Sequence, residues 1–172
     1  EYFRDRTPTE KNQYTGMFQG KNLLLFTGEA FWIGAVNEQY TPTLYKLAHS
    51  GFVFENFYNP LWYYSTVDGE YAATTGLIPT NQVNASQRYA GKNGVSMYFS
   101  MGNQLRALGY PTLAYHNNTA NYYDRNLSHP NLGYDFYACD TGLDVAMTWP
   151  QSDLEMMQLT PVSYTHLTLP TN

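Results

Sequence analysis

Residues 63–71 read Tyr-Tyr-Ser-Thr-Val-Asp-Gly-Glu-Tyr, and the interpretation of the whole chain starts from this stretch. It contains a candidate hydroxyl nucleophile, Thr66, followed by the acids Asp68 and Glu70. Ser65 is a favourable helix N-cap, so we expect a short helix to begin near Thr66. Backbone N–H groups at a helix start favour an anion such as phosphate. Asp68 and Glu70 would either be stabilised by the positive end of the helix dipole or hydrogen-bond to the ligands of a metal site without binding the metal themselves.

An apolar run lies upstream of this stretch. Residues 22–26 read Asn-Leu-Leu-Leu-Phe and end shortly before Glu29. Short continuous apolar runs are typical of strands buried on both faces of a parallel sheet. Ligands of open α/β sheets gather at the carboxyl ends of strands, and a carboxylate there suits a divalent cation. We expect Glu29 and Thr66 to form two walls of one metal site. The plainer interpretations are that Glu29 is a solvated acid in a loop and that Thr66 is a helix cap.

The rest of the chain alternates between helix and strand patterns, which predicts an α/β fold. Thr41-Pro42 begins a helix that ends at Gly51, and residues 52–58 form a second strand, which completes a right-handed βαβ unit. Further elements follow in order: an end of the Thr66 helix at residues 76–79, a loop over 80–95, a helix over 96–108, a strand over 111–115 leading to His116, a polar segment over 117–131, a return to the sheet edge over 132–137, and a last helix after Ser152.

Composition excludes several classes of protein. The chain has 172 residues, a hydrophobic fraction of 43% and a net charge of −5, which allows one compact domain with a core. Its nine Lys and Arg disfavour a nucleic acid partner, because phosphate backbones are bound by clustered cations. The sequence contains no run of eighteen apolar residues, which is the length that a membrane-spanning helix needs. The single cysteine, Cys139, rules out an internal disulfide.

The two ends of the chain differ in character from the middle. Residues 1–19 are polar and interrupted by Pro and Gly, so we interpret them as a linker or arriving segment. Residues 20–161 carry the α/β patterns. From residue 162 the sequence becomes a Thr-rich string that resembles a translated sequencing adapter. We therefore expect residues 162–172, including His166, to be an artefactual tail. We expect the natural protein to continue past about residue 161 with a different sequence.

Several short motifs occur in a characteristic order between residues 20 and 159. They are Gly-Lys-Asn-Leu-Leu-Leu at 20–25 with Glu29, Thr-Pro-Thr-Leu at 41–44, Phe-Glu-Asn-Phe-Tyr at 54–58, Ser-Thr-Val-Asp-Gly-Glu-Tyr at 65–71, Leu-Gly-Tyr at 108–110, Tyr-His-Asn at 115–117, Tyr-Asp-Arg-Asn at 123–126 and Leu-Gly-Tyr-Asp at 132–135. Together they resemble the sulfatase-like catalytic domain of lipoteichoic acid synthases and their phosphoglycerol-transferase relatives. The resemblance implies an alkaline-phosphatase/sulfatase-like α/β sandwich with a mostly parallel central sheet, incomplete at the C-terminus.

The same resemblance implies a reaction and roles for individual residues. Glu29 would be a metal ligand, and Thr66 both a ligand and the nucleophile, with Mn²⁺ or Mg²⁺ as the usual metal of the family. Thr66 would take glycerol phosphate from a phosphatidylglycerol-type lipid and pass it to an envelope glycan or a polyglycerolphosphate acceptor. His116 and Arg125 fall where the family contacts the phosphoglycerol group, His116 as a proton carrier or as an oxygen-recognising donor. Tyr123 falls where the family often has Trp.

One departure from the family pattern concerns the metal site. The family completes this site with an adjacent Asp-His pair and a further His later in the chain, and no Asp-His dipeptide occurs here. We therefore expect the chain as given to be inactive and to bind manganese poorly. The family's catalytic domain lies outside the cell, after membrane helices. We expect this protein to reach the cell membrane through segments that the chain does not include.

Other functions remain open. A true sulfatase carries its nucleophile in a Cys/Ser-x-Pro-x-Arg motif, and the sequence after Thr66 has neither that Pro nor that Arg. Phosphoethanolamine transferases also use Thr but are usually richer in disulfides than a chain with one cysteine. A phosphoester hydrolase would use water in place of the acceptor hydroxyl. A non-catalytic wall-binding module would use its 17 tyrosines to bind polymer without metal.

Overall fold

The computed structural model describes residues 5–7, 9–58, 65–79, 86–148 and 152–165. In these ranges the helices and strands follow one another in this order: a 3-10 helix at Ile33–Ala35, α1 at Pro42–Ala48, α2 at Ser65–Thr75, α3 at Ser86–Asn93, α4 at Met101–Ala107, β1 at Leu113–His116, a 3-10 helix at Tyr122–Asp124, α5 at Arg125–Asn131, β2 at Asp135–Ala138 and α6 at Asp153–Thr165. None of the helices in the described ranges is both long enough and apolar enough to cross a bilayer.

The two strands form a small parallel sheet with α5 in the connection between them. Leu113 pairs with Asp135, and His116 at the end of β1 pairs with Ala138. Thr112 fixes the start of this register, because its carbonyl accepts from the N–H of Asp135 at 2.9 Å. The strand leading to His116 and the return of the chain to the sheet are thus confirmed. A parallel pair joined through a helix is the βαβ arrangement of α/β folds.

The core lies where α2, α3 and the segment before α4 meet the turn after α5. Tyr71, Ala90, Met97 and Leu132 are buried together, with Phe99 and Tyr134 packed against them. Helices α3 and α5 approach closely at Gly91, where a Cβ atom would lie 2.8 Å from the carbonyl carbon of Leu127. This close packing brings the side chains of α3 next to the start of α5.

Polar contacts attach α4 to the same turn. The buried Ser100 hydroxyl, just before α4, donates to the Leu132 carbonyl at 2.8 Å. The Asn103 amide donates to the Asn131 carbonyl at 2.8 Å. Helix α4 is shorter than predicted, since it begins only at Met101. The chain turns away at Gly109, which adopts a φ of +85° that glycine tolerates without a Cβ clash.

Two of the predicted strands are wrong. Residues 22–26 and 52–58 are irregular, and the apolar side chains of both stretches are more than half exposed. The apolar residues of these stretches favour burial, but a strand also needs a neighbouring strand for its backbone hydrogen bonds. Neither stretch pairs with such a neighbour among the described residues. The βαβ unit around α1 is therefore not formed. Helix α1 itself begins at Pro42 as predicted, with Thr41 before it.

Two segments predicted as polar loops contain helices. Helix α3 lies in the 80–95 segment, of which residues 80–85 are outside the described ranges, and α5 lies in the 117–131 segment. Both helices are rich in polar residues, and α5 contains Pro130, so their sequences lack the usual apolar stripe. The last helix begins after Ser152 as predicted and continues to Thr165. Residues 166–172, including His166, lie outside the described part of the chain.

Candidate active site

The Thr66 hydroxyl and the Glu29 carboxylate are in direct contact. Thr66 Oγ1 donates a hydrogen bond to Glu29 Oε1 at 2.6 Å, across 37 residues of sequence. Thr66 lies in the first turn of α2, which begins at Ser65, and it is half-buried. Glu29 is exposed and precedes Ala30, whose φ is +51°. The structure thus brings the two residues together, while their roles as ligand and nucleophile stay predictions.

This pair of oxygens fits part of a divalent cation site. An octahedral Mg²⁺ holds its oxygen ligands at about 2.0–2.1 Å, which places neighbouring ligand oxygens about 2.9 Å apart. The observed 2.6 Å between Oγ1 and Oε1 would need to open by only about 0.3 Å for a cation to replace the hydroxyl proton. In the described part of the chain, no three His, Cys, Asp or Glu side chains come together to complete such a site. Among the described residues, Glu29 and Thr66 thus bring together two oxygens that could bind a cation, which falls short of a closed metal cage.

Glu70 lies one helical turn after Thr66 and forms a buried ion pair with Arg125. Its Oε1 accepts from Arg125 Nη2 at 2.5 Å and from Nε at 3.2 Å, and its Oε2 accepts from Gln87 Nε2 at 3.0 Å. The side chain of Arg125 is 3% exposed and that of Glu70 13%. Residues four apart on a helix share a face. Helix α2 therefore carries the hydroxyl and the partner of the arginine side by side, while Asp68 is buried in the same helix.

The Arg125 guanidinium connects Glu70 to His116 at the end of β1. Arg125 Nη1 lies 3.3 Å from His116 Nε2 and 3.2 Å from the Tyr122 carbonyl oxygen. Burial, and after it the positive charge of Arg125, lower the pKa of His116 to about 4, against opposing contributions from Glu70 and the Thr119 backbone. His116 is therefore neutral at physiological pH. Its Nδ1 is buried and has no described partner at hydrogen-bonding distance and angle.

A strained turn places Tyr123 beside these groups. Tyr123 and Asp124 have φ values of +58° and +56°, which non-glycine residues rarely adopt and which cost on the order of 1–3 kcal/mol each. The Tyr123 ring lies between two guanidinium groups, 5.3 Å from Arg125 and 5.8 Å from Arg88. A hydrogen bond with Tyr122 raises the pKa of Tyr123, and the charge of Glu29 raises it as well. Tyr123 is thus electrostatically coupled to the Glu29 side of the site.

Helix α3 holds this turn in place through Asp124. The Asp124 carboxylate accepts from Arg88 at 2.5 Å and lies 3.0 Å from the Lys92 ammonium. Burial alone would raise the pKa of Asp124, but the hydrogen bonds from Lys92 and Arg88 outweigh it and lower the pKa. Two ion pairs of this kind stabilise a turn whose backbone is unfavourable by itself.

Sequence reasoning missed the contribution of α3 to the site. Gln87, Arg88 and Lys92 lie in the segment predicted as a loop, and all three contact predicted site residues or their neighbours. A usable pattern was present, since Arg88 and Lys92 are four residues apart and so share one face if the segment is helical. The predicted residues His116, Tyr123 and Arg125 are brought together, whereas no contact joins them directly to Thr66.

Comparison with known proteins places the chain in a family. The family model described as Sulfatase matches residues 21–164. The chain belongs to the sulfatase family. It is 26% identical over 145 residues to lipoteichoic acid synthase 2 of Bacillus subtilis (strain 168), a match that covers 78% of this chain and 21% of that protein.

A solved structure shows the fold of this sulfatase-family chain. The crystal structure of the lipoteichoic acid synthase LtaP from Listeria monocytogenes aligns with a TM-score of 0.51 and 22% identity, covering 64% of this chain and 28% of that one. The predicted α/β sulfatase-like fold, incomplete here, is confirmed, as is the resemblance to lipoteichoic acid synthases. The chain spans less than a third of the length of either relative.

Proposed function

We propose that this chain is part of a phosphoglycerol transferase of the lipoteichoic acid synthase type. The enzyme would move glycerol phosphate from a phosphatidylglycerol-type lipid to an envelope polymer or glycan. The observation that carries the proposal is the 2.6 Å hydrogen bond from Thr66 to Glu29, which places a hydroxyl beside a carboxylate at the start of a helix. Similarity to lipoteichoic acid synthase 2 supports the same substrate class.

Thr66 would act as the nucleophile of a two-step transfer. In the first step its Oγ attacks the phosphorus of the lipid headgroup, the bond from phosphorus to the diacylglycerol oxygen breaks, and diacylglycerol leaves with a proton. In the second step a hydroxyl of the acceptor attacks the same phosphorus, and the bond from phosphorus to Thr66 Oγ breaks. The proton of the acceptor hydroxyl goes to Thr66 Oγ, and the glycerol phosphate group is attached to the acceptor. Covalent intermediates of this kind split one difficult displacement into two easier ones.

The surrounding charges suit a phosphoryl group. Sulfatase-family proteins generally use divalent metals; a Mn²⁺ or Mg²⁺ ion held by Glu29 and Thr66 would stabilise negative charge on the phosphoryl oxygens. Glu29 Oε1 accepts the Thr66 hydroxyl proton in a hydrogen bond and so orients Oγ. His116, Tyr123 and Arg125 would form the wall that holds the glycerol phosphate. We further propose that the catalytic domain lies outside the cell and is attached to the cell membrane.

Turnover by Thr66 variants tests the proposal. The complete polypeptide that carries this chain is incubated with phosphatidylglycerol labelled in its headgroup and an acceptor glycan, with Mn²⁺ present. Thr66→Ala is expected to abolish both transfer and the glycerophosphate adduct seen by mass spectrometry on the α2 peptide. Asp135→Asn, which breaks only the exposed ion pair with Arg106, serves as the matched control and is expected to keep full turnover.

The products separate the competing functions. Labelled polymer or glycan supports the transferase. Labelled free glycerol phosphate formed at the same rate with and without acceptor supports a hydrolase. Unchanged polymer binding by Thr66→Ala, without any turnover in the wild type, supports a wall-binding module. Turnover that Thr66→Ala leaves intact would remove Thr66 from the mechanism.

A further inference from the structure

The ion pair between Glu70 and Arg125 determines which edge of the guanidinium meets His116. Glu70 Oε1 contacts both Nε and Nη2 of Arg125, so the carboxylate is bound along one edge of the group. The remaining nitrogen, Nη1, lies 3.3 Å from His116 Nε2. Because a guanidinium is rigid and planar, anchoring one edge fixes the direction in which Nη1 points. Gln87 in turn holds the second carboxylate oxygen of Glu70.

The chemistry of arginine determines the tautomer of the histidine. Arginine only donates hydrogen bonds, so Nε2 of His116 must accept the bond from Nη1 and carries no proton. A neutral imidazole retains one ring proton, which then resides on Nδ1. The Tyr122 carbonyl takes a second bond from Nη1, and the Tyr122 ring stacks on His116 at 6.0 Å. Both contacts hold the two side chains in this relative orientation.

We propose that Glu70 is a positioning residue of the site, which acts through Arg125 to fix His116 as the Nδ1–H tautomer. The buried Nδ1–H is then the donor of the ring, and the acceptors open to it are the Thr119 backbone, which acts on His116, and a substrate oxygen. The proposal rests on the proposed function, which places His116 beside the glycerol phosphate group. In this arrangement the ring proton of His116 is on Nδ1 and Nε2 is occupied by Arg125, which favours the oxygen-recognising role of His116 over the proton-carrier role.

Most of the N–H groups of Arg125 are used in contacts with Glu70, His116 and the Tyr122 carbonyl. A guanidinium has five N–H groups. Four contacts to protein atoms use Nε, Nη2 and Nη1: two with Glu70, one with His116 and one with the Tyr122 carbonyl. About one N–H therefore remains for a phosphate oxygen. Arg125 thus acts at least as much on its neighbours as on a ligand, and Glu70 sets its orientation.

Nitrogen NMR of the histidine rings tests the proposal directly. Long-range ¹H–¹⁵N spectra of the ¹⁵N-labelled chain are recorded at pH 7 without substrate, and the His116 ring is assigned. The wild type is expected to show a protonated Nδ1 and an unprotonated Nε2. Glu70→Gln removes the anchoring charge and is expected to shift the ring toward the Nε2–H tautomer, while Glu70→Asp restores part of the Nδ1–H population. Asp135→Asn should leave the spectrum unchanged.

Two results would overturn the proposal. One is a wild-type ring protonated on Nε2 or on both nitrogens. The other is a Glu70→Gln spectrum identical to the wild type in a variant that keeps its amide dispersion. If Glu70→Gln does not fold, Arg125→Lys replaces it: the lysine keeps the charge but lacks the planar fork, so loss of the Nδ1–H form supports the proposal and retention overturns it.

The test is independent of the proposed transfer reaction. The spectra need no substrate and no metal, so a failure of the tautomer prediction leaves transfer through Thr66 untouched. Conversely, a Thr66→Ala variant that keeps full turnover would refute the proposed function. In that case the Glu70–Arg125–His116 hydrogen bonds would still be read from the same spectra.

Discussion

The close contact of α3 and α5 at Gly91 predicts a specific difference between two glycine substitutions. A Cβ atom on Gly91 would lie 2.8 Å from the Leu127 carbonyl carbon and 2.9 Å from the Ser128 nitrogen, all of it backbone that cannot rotate away. Gly69 in α2 offers the matched control, since a Cβ there meets nothing within 4 Å. Both glycines lie inside helices, and neither has a positive φ.

The expected magnitudes follow from these distances. Replacing glycine by alanine inside a helix gains about 1 kcal/mol of helix propensity at either position. At Gly91 the new methyl group falls about 0.6 Å short of the 3.4 Å at which ordinary contact begins, so the helices must separate. Overpacking of this kind costs about 1–3 kcal/mol. Gly91→Ala should therefore be less stable than Gly69→Ala by about 1–3 kcal/mol, because the propensity gain is common to both.

Urea unfolding followed by circular dichroism measures this difference. Gly69→Ala is expected to unfold at a higher urea concentration than the wild type, and Gly91→Ala at a lower one than Gly69→Ala, by on the order of 1 M. Separation of α3 from α5 would also weaken the Gln87–Glu70 and Arg88–Asp124 contacts, so Gly91→Ala should broaden the NMR signals of those side chains. A Gly91→Ala variant as stable as Gly69→Ala would refute the packing argument.

Three further predictions concern charge and metal. Burial, and after it the Arg125 charge, lower the pKa values of His116 and His129 to about 4. Because the unfolded chain then binds protons first, stability should be full above about pH 6.5 and fall on the way to pH 4, and urea midpoints that stay level between pH 7 and 5 would contradict this. The lowered pKa of Asp124 acts in a lower window, with stability present above about pH 4 and lost as the pH falls below it. Asp124→Asn should therefore lower the urea midpoint at pH 7, and an unchanged midpoint would show that the turn needs no charge at this position. Among the described residues, Glu29 and Thr66 offer two oxygens to a cation, and no three ligating side chains come together. The chain alone should therefore bind Mn²⁺ more weakly than micromolar in calorimetric titration, and tighter binding would show that other ligands exist.

The sequence predicted best those elements that local chemistry decides. Three such elements are the start of α2 near Ser65, the end of α4 just before Gly109 and the strand leading to His116. They depend on caps, on glycine and on β-branched or aromatic residues within a few positions. The contact of Glu29 with Thr66 was also expected, first from the apolar run before Glu29 and then from the resemblance of motifs. The apolar stretch before Glu29 is exposed and unpaired here, so the reason first given for the position of Glu29 is wrong.

The sequence failed where tertiary contacts decide the local structure. Helix α3 has few apolar residues and a glycine in its interior, which predicts a loop, yet that glycine is what allows α5 to approach. The left-handed backbone of Tyr123 and Asp124 also depends on contacts outside the local sequence. Local bonds such as the one from the Asp124 N–H to the Asn121 carbonyl help to form the turn, but the Asp124 carboxylate pairs with Arg88 and Lys92, which lie more than thirty residues earlier. A window of sequence around Tyr123 therefore contains only part of what holds it.

The two sides of the candidate site therefore differ in how complete they are. The side built from Glu70, Arg125 and His116 is buried and joined by hydrogen bonds, and its charges are balanced within the described chain. The side built from Glu29 and Thr66 is more exposed and supplies two oxygens of the several that a cation requires. Under the proposed function, binding a phosphate ester falls to the first side and activating the hydroxyl to the second, so the two would be separable properties. A chain that keeps the first without the second would hold a glycerol phosphate group but would not cleave its ester bond.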